Sequence, residues 1–321
     1  MDRRFFMGGL VSASAAFEAG RARAGSWPSR PITLVVPYGA GGTSDTAARL
    51  HADFMSDALD QKVVVENRPG AQGNLAADGV ARAAPDGYTL LMGGNFLSQN
   101  PSTGPKPRTD AATALQPVAL LALSPALVMV NRKLGVSGLP EVLRRAAEKP
   151  DTLTIGAGNI DAYVTLLLKR ANARLRMVNY RTSPQAITDV LAGHVDVAMS
   201  ILTTAVPLLE NPDLVPVAVS SEERSPILPH VPTYAECGIK DAEIVSWFGT
   251  FAPAGVPADI LSKLSEASGR FLGAAHTLQR FGQVGLDPPK AGGTAESFAR
   301  FVAADTARWR TLAVELGVRS E

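Results

Sequence analysis

The chain has 321 residues, with 31 basic and 30 acidic side chains, so its formal charge at pH 7 is +1. This length is sufficient for two domains of ordinary size. The near-neutral balance excludes a basic surface large enough to suggest nucleic acid binding, and we expect no nucleic-acid partner. Glycine and proline number 29 and 23, which suits many short connections between strands and helices.

The amino-terminal residues resemble an export signal. Arg3 and Arg4 precede a short apolar stretch, and Ala22-Arg-Ala24 supplies small residues before a plausible cleavage site. We predict a signal peptide over residues 1–24, either a twin-arginine leader or an ordinary signal with a basic start. No later run of ~18 apolar residues is present, so we expect a soluble mature chain. The single cysteine, Cys237, has no partner for an intramolecular disulfide.

The most informative stretch runs from residue 32 to residue 50. Ile32 to Val36 is a continuous apolar run typical of a buried parallel strand, and Thr43, Ser44 and Asp45 are good N-cap residues for a following helix. Between them lies a glycine-rich loop. Unpaired N–H groups at such a helix start suit a carboxylate or a phosphate. The alternative is an ordinary strand-to-helix turn without a ligand.

The next segments continue an alternating α/β pattern. Strands are predicted at Lys62–Glu66 and Tyr88–Met92, with a helix from Leu75 to Ala83. This arrangement predicts a right-handed parallel sheet with a candidate site at its carboxyl edge. Loops 38–45, 67–74 and 93–95 would meet there.

The second half predicts another α/β lobe. The apolar run Val118 to Val130 is interrupted at Ser124-Pro125, which we interpret as a crossing between lobes. Strands and helices then alternate as far as residue 220, and Val245–Pro253 is predicted to cross back beside the first run. We expect the carboxyl-terminal amphipathic helices to pack on the first lobe.

Several long motifs, in the right order, resemble one known family. They are Val36-Pro-Tyr-Gly-Ala-Gly-Gly-Thr-Ser-Asp45, Val65-Glu-Asn-Arg-Pro-Gly-Ala-Gln-Gly-Asn74, Ala84-Pro-Asp-Gly-Tyr-Thr-Leu-Leu-Met-Gly93 and Ser246-Trp-Phe-Gly-Thr-Phe-Ala-Pro253. They resemble the Bug receptors, which are the extracytoplasmic solute receptors of tripartite tricarboxylate transporters.

The resemblance implies a two-lobed type II periplasmic binding protein, or Venus flytrap, fold. It also implies a periplasmic monomer without cofactor that binds a small carboxylated solute between its lobes and hands it to membrane permease subunits. Lobe one would comprise residues 25–124 and 247–321, and lobe two residues 125–246. A receptor that signals to a membrane partner uses the same fold and remains an alternative.

The resemblance and the loop pattern together give the candidate ligand-binding residues. In the first lobe they are Tyr38, Gly41, Gly42, Thr43, Ser44, Asp45, Gly94 and Asn95, and in the second lobe Gly158, Asn159, Asp161, Arg181 and Ser200. Asp45 either contacts the ligand or caps the helix, and Arg181 either pairs with a second carboxylate or is a solvated surface residue.

The second-lobe loops depart from the family pattern. The loop Gly156-Ala-Gly-Asn-Ile-Asp-Ala162 is shorter than usual, and Asp161 would repel a second carboxylate unless Arg181 neutralises it. We therefore favour a monocarboxylate, or an acid with a hydroxyl or amino group at its far end, over citrate-like solutes.

An enzyme is the competing class. Gly39-Ala-Gly-Gly-Thr-Ser44 follows a strand, and Glu66 ends the next one, as in dinucleotide-binding proteins. Ser44 replaces the third glycine, however, and no nucleophile or zinc motif is present. The four histidines have no spacing that suggests a metal site. We therefore predict neither catalysis nor a bound metal.

Overall fold

The computed structural model describes residues 27–158, 160–290 and 294–317, so the predicted signal peptide lies outside the described residues. Nine strands occur within these ranges: β1 Ile32–Val36, β2 Val63–Asn67, β3 Thr89–Gly94, β4 Leu115–Asn131, β5 Thr154–Gly158, β6 Arg176–Tyr180, β7 Val197–Ile201, β8 Leu214–Val219 and β9 Val245–Pro253. The helices there are α1 Thr43–Ala58, α2 Asn74–Ala81, α3 Phe96–Thr103, α4 Ala111–Ala114, α5 Leu139–Glu148, α6 Asp161–Arg170, α7 Ser183–Ala192, α8 Leu202–Ala205, α9 Ala258–Gly273, α10 Ala275–Val284 and α11 Ala295–Leu316.

The first lobe is built on a sheet in the order β2-β1-β3-β9-β4. Strands β1, β2 and β3 are parallel, as their helical connections require, whereas β9 runs antiparallel to both β3 and β4. Apolar side chains from both faces of this sheet pack beneath α1, α2 and α9. All three parallel strands therefore end at the same edge, and the loops that follow them are brought together.

Strands β4 and β9 connect the two lobes. Their antiparallel pairing continues to Ser124 with Ser246 and Pro125 with Val245. From Ala126 onward β4 pairs with β7 instead. Pro125 lacks a backbone N–H, so this position suits a change of partner. The predicted crossing at Ser124-Pro125 agrees with this arrangement.

The second lobe contains a sheet in the order β8-β4-β7-β5-β6. Strands β5, β6 and β7 are parallel to one another, and β7 and β8 run antiparallel to β4. Two apolar clusters, one on each face, separate this sheet from α5 and α6 and from α7 and α8. The fold is thus a mixed α/β fold of two lobes.

The carboxyl-terminal helices do not all pack on the first lobe as expected. Helices α9 and α10 do, with Leu264, Phe271 and Phe281 in its core. Helix α11 begins against the first lobe through Phe298, but Trp309 and Leu312 lie in the core of the second lobe. The amphipathic pattern correctly indicated a buried face but did not indicate that two lobes share it.

The segment after β3 also differs from the prediction. No helix was predicted between β3 and β4, yet α3 spans Phe96–Thr103 and contains Pro101 within it. No helix among the described residues is both long and apolar enough to cross a membrane.

Candidate ligand-binding site

A cavity of about 740 Å³ lies between the two lobes. The first turns of α1, α3, α6 and α7 open onto it, together with the crossing strand β9. Its walls are formed by Tyr38, Gly42, Thr43, Ser44, Gln72, Gly94, Asn95, Phe96, Gln99, Asn100, Thr103, Gly158, Ile160, Asp161, Ala162, Tyr163, Thr165, Ser183, Ile201, Ser246, Trp247 and Phe248. Eight of the predicted ligand-binding residues are therefore brought together in one cavity.

The amino terminus of α1 faces this cavity without a side-chain cap. Gly42 is the N-cap residue and has no side chain to offer, and the first helical hydrogen bond runs from the N–H of Thr46 to the carbonyl of Gly42. The N–H groups at the first three helical positions consequently have no partner within the helix. Together with the positive end of the helix dipole, they provide donors for an anion.

Asp45 does not line the cavity and does not cap the helix. Its buried carboxylate accepts hydrogen bonds from the backbone N–H of Gly41 at 2.9 Å, from Asn67 Nδ2 at 3.0 Å and from Arg49 at two points. Burial opposes ionisation, but these hydrogen bonds outweigh it and lower the pKa of Asp45. Asp45 and Gly41 therefore shape the loop from behind, a role that the sequence interpretation did not consider.

Tyr38 lies on the cavity wall with 41 % of its surface exposed. Its ring meets Phe96 edge to face at a centroid distance of 6.1 Å. Desolvation by the surrounding protein raises the pKa of Tyr38 to about 12, so the hydroxyl remains protonated at neutral pH. It is thus available as a donor in the cavity that the start of α1 also borders.

Gly94 and Asn95 connect the end of β3 to the crossing strand. The Asn95 side chain donates to the carbonyl of Val245 at 2.9 Å and accepts from the N–H of Trp247 at 2.7 Å. A Cβ atom on Gly94 would lie 3.0 Å from the Trp247 carbonyl. Both residues border the cavity, but the Asn95 amide is already engaged in joining α3 to β9.

In the second lobe, Gly158 ends β5 in close contact with the start of α7. A Cβ atom there would lie 2.4 Å from the backbone N of Ser183, and the Ser183 hydroxyl donates to the Gly158 carbonyl at 3.1 Å. Only glycine allows this approach. Asp161, the first residue of α6, also lies on the wall, and burial raises its pKa.

The remaining second-lobe candidates are placed differently. Arg181 is exposed in the turn between β6 and α7 and does not line the cavity, whereas Ser200 is buried in β7 and donates to the carbonyl of Ile201 at 3.2 Å. Asn159 lies outside the described residues. The described wall of the second lobe thus carries fewer of the predicted polar side chains than the sequence suggested.

Sequence reasoning missed several polar wall residues, notably Gln72, Gln99 and Tyr163. Gln72 has a left-handed backbone with φ of 51°, and its carbonyl accepts from the buried amide of Asn100 at 3.1 Å. The Tyr163 hydroxyl lies 3.4 Å from Ser246 Oγ, and burial raises the pKa of Tyr163. Gln99 was missed because the sequence interpretation did not recognise that α3, which carries it, is a helix.

The charge of the cavity is unusual for an anion site. Asp161 is the only charged side chain among the described wall residues, and no lysine, arginine or histidine is present there. Across the described part of the chain, no group of three or more His, Cys, Asp or Glu residues could hold a metal ion. An anion in this cavity would therefore be neutralised by backbone dipoles and hydroxyl groups.

A second cavity of about 450 Å³ lies against the crossing strands and α11, bordered by Trp247, Asp287, Asp305 and Trp309. It includes none of the predicted ligand-binding residues. The Trp247 indole donates to Asp305 Oδ2 at 2.8 Å, and Lys290 forms an ion pair with Glu223 at 2.5 Å. These two pairs of polar groups thus bond each other, and the predicted ligand-binding residues lie in the interlobe cavity instead.

Comparison with known proteins identifies the family. Residues 47–318 match the family model described as tripartite tricarboxylate transporter family receptor. The chain is 32 % identical over 320 residues to a protein of Pseudomonas sp. (strain P51), covering 98 % of this chain and 95 % of that protein. It is 30 % identical to Protein BugT of Bordetella pertussis, with 99 % of each chain covered.

Solved structures agree with these relatives. R. palustris Rpa4515 with adipate has a TM-score of 0.81 at 32 % identity, covering 91 % of this chain and 99 % of that one. MatC from Rhodopseudomonas palustris with bound malate has a TM-score of 0.76 at 30 % identity, covering 89 % and 100 %. The expected resemblance and the two-lobed periplasmic binding protein fold are thereby confirmed. This chain belongs to the family of tripartite tricarboxylate transporter receptors, the solute-binding proteins that include the Bug proteins.

Proposed function

We propose that the protein captures a small carboxylated solute in the interlobe cavity and delivers it to the membrane permease subunits of a tripartite tricarboxylate transporter. The observation that carries this proposal is the uncapped amino terminus of α1, which opens into a cavity whose described wall residues include no basic side chain. Adipate and malate, found in the related R. palustris structures, are both carboxylates. They support this class of ligand.

Hydrogen bonds from the backbone N–H groups at the start of α1 would supply much of the binding free energy of a carboxylate. A charge-assisted hydrogen bond contributes about 1.5–3 kcal/mol, so three backbone donors would provide much of the ~8 kcal/mol of micromolar affinity. The Tyr38 hydroxyl, protonated at neutral pH, is a further donor in the same cavity. The carboxylate thus needs no arginine or lysine partner.

The arrangement of the lobes suits capture by closure. We assign residues 25–124 and 247–321 to lobe one and residues 125–246 to lobe two, with the qualification that α11 contacts both. The protein is proposed to act as a periplasmic monomer after removal of residues 1–24. Amino-terminal sequencing of protein from the periplasm should find a mature chain that begins near Gly25; full-length protein in the cytoplasm would contradict this assignment.

A single substitution tests the carboxylate site. In Gly42→Asp, the new carboxylate would cap α1 and occupy the place of the ligand anion, because aspartate is a favoured N-cap residue. The nearest atom to a Cβ at this position, the Gly39 carbonyl oxygen, is 3.7 Å away, so the side chain fits. We expect the variant to melt at or above the temperature of the wild type and to lose carboxylate binding by calorimetry.

The matched control is Gly138→Asp. Gly138 is the N-cap of α5, also without a side-chain cap, and it is not among the cavity residues. Capping α5 should leave ligand affinity unchanged. A panel of dicarboxylates and their uncharged diamides completes the test, since stabilisation by the amides alone would refute the anion site.

Transport and signalling are distinguished in the native host. Deletion of the gene should abolish uptake of the labelled ligand, with recovery on complementation. If uptake persists while a ligand-dependent transcriptional response is lost, the protein serves a membrane sensor instead. Mass analysis of ligand after incubation should recover it unchanged, because the proposal includes no catalytic step; any turnover would require an enzyme interpretation.

A further inference from the structure

Asp161 introduces a full negative charge into a cavity proposed to bind an anion. Its carboxylate makes no hydrogen bond or ion pair with another described residue, although ion pairs are frequent elsewhere on the surface. Asp161 belongs to the second lobe, whereas the start of α1 belongs to the first. The cavity therefore has donors on one wall and an unpaired acceptor on the other.

The helix terminus that carries Asp161 offsets only part of this charge. The amino terminus of α6 contributes the equivalent of roughly half a positive charge, and that field falls off within one turn. Asp161, at the first position of α6, places a whole negative charge in the same turn. A ligand group that approaches α6 thus meets a net negative charge.

We infer that Asp161 is a specificity-determining residue that selects solutes with a carboxylate at one end and an ammonium group at the other. This inference rests on the proposed function, because it assigns the carboxylate to α1. A second carboxylate near Asp161 would place two like charges together in a partly desolvated site, whereas an ammonium group would form a charge-assisted hydrogen bond. A hydroxyl group would be accepted more weakly.

The electrostatic environment supports this preference independently of the ligand. Burial raises the pKa of Asp161 above its ordinary value. In the free protein, the interactions of the ionised carboxylate therefore do not make up for the water that it loses. A second anion would add to this penalty, and a cation would relieve it. The competing explanation is that Asp161 only stabilises the start of α6 through the helix dipole, as acidic residues in a first turn do.

The experiment compares ligands that differ only at the far end. The pairs are succinate and 4-aminobutanoate, glutarate and 5-aminopentanoate, and adipate and 6-aminohexanoate, each titrated by calorimetry into the wild-type mature chain. We expect the amino acid of the best-fitting length to bind about tenfold or more tightly than its dicarboxylate. In Asp161→Asn the affinity for the amino acid, relative to that for the dicarboxylate, should fall to one or below.

The control is Glu210→Gln, which changes the net charge by the same amount. Glu210 is an exposed acidic residue of the second lobe and is not part of the cavity wall. It should leave the wild-type ratio intact. Asp161→Ser, which retains a helix-start side chain, provides a second variant if the asparagine protein is poorly folded.

The outcomes separate the two proposals. Dicarboxylates that bind as tightly as the amino acids, with no change in Asp161→Asn, would overturn the role of Asp161 while leaving the carboxylate receptor intact. A wild-type protein whose tightest ligands contain no carboxylate, and whose affinity is unaffected by Gly42→Asp, would instead overturn the proposed function itself.

Discussion

Asp45 and Arg49 lie one turn apart on α1 and form a two-point ion pair behind the glycine-rich loop. Arg49 Nε donates to Asp45 Oδ2 at 2.9 Å, and Nη2 donates to Oδ1 at 3.0 Å. The same carboxylate holds Gly41 and Asn67. One buried side chain thus fixes the loop, the helix start and the end of β2 relative to one another.

We therefore expect Asp45→Ala to destabilise the protein by about 1–3 kcal/mol, because the Gly41 N–H loses its acceptor and Asn67 Nδ2 keeps only the carbonyl of Tyr38. Ligand affinity should fall as well, since the loop would no longer be held in place. Arg49→Ala should cost less than about 1 kcal/mol, because its side chain is 52 % exposed. Urea denaturation and calorimetry measure both; equal losses of stability would contradict the view that the carboxylate organises the loop.

Gly158 provides a test of the second-lobe wall. Its Cβ position lies 2.4 Å from the backbone of α7, which cannot give way as a flexible side chain can. Gly158→Ala should lower the melting temperature and weaken ligand binding. Gly269→Ala, in the interior of α9 with open space around it, should stabilise the protein by about 0.5–1 kcal/mol. If both variants behave alike, the close approach at Gly158 has no structural importance.

The sequence alone predicted the parts of the fold that rest on periodicity. Apolar runs correctly marked β1 and β4, and the interruption at Pro125 marked the crossing because a proline removes a ladder hydrogen bond. Helix α3 was missed because Pro101 and polar residues conceal its period. Its first turn, which the topology brings onto the cavity, was consequently absent from the predicted site.

Residue spacing in the sequence does not show which side chains point into the cavity, and this limited the predicted site. Asp45 was placed next to the loop correctly, but whether its carboxylate points toward a ligand or toward Gly41 depends on side-chain packing. Arg181 follows the carboxyl end of β6, the edge of the sheet where the site was predicted. Its side chain is nevertheless exposed and does not form part of the cavity wall. Local pattern therefore located the loops, and three-dimensional packing decided which side chains reach the cavity.

The buried imidazole of His51 should make the free energy of unfolding depend on pH. It is buried between α1, α9 and β9, where Nε2 lies 3.1 Å from Ser268 Oγ, and burial lowers its pKa to about 3. Because the folded-state pKa is below the unfolded value of 6.5, the unfolded state gains protons first, so stability is retained above pH 6.5 and lost as the pH falls toward 3. Between pH 7.5 and pH 5 this group should cost about 2 kcal/mol.

The measurement is the difference in unfolding free energy between wild type and His51→Gln at the two pH values. The variant should lack this loss, whereas His276→Gln, at an exposed position, should retain it. Asp287 acts in the opposite direction, because burial raises its pKa to about 6, but it is common to all three proteins. Parallel pH profiles for wild type and His51→Gln would disprove the neutral buried state of His51.

The last prediction concerns α11, whose two ends contact different lobes. In its final turn Glu315 accepts from Arg170 of α6 at two points, one of them Nη2 to Oε2 at 2.9 Å, and the Arg170 hydrogen bond lowers the pKa of Glu315. Glu315→Gln should weaken this connection. We expect amide exchange to accelerate about two- to fivefold in the final turns of α11 and to remain unchanged near Phe298, which packs in the first lobe.

Glu296→Gln is the matched control for this exchange experiment. Glu296 pairs with Arg300 inside the first turns of the same helix and contacts no second-lobe residue through that ion pair. Its loss should affect exchange only at the start of α11. If Glu315→Gln instead accelerates exchange uniformly along the helix, α11 opens as one unit and does not join the lobes. Acceleration confined to the final turns would show that the second lobe holds this end separately, so that movement between the lobes must be accommodated along α11.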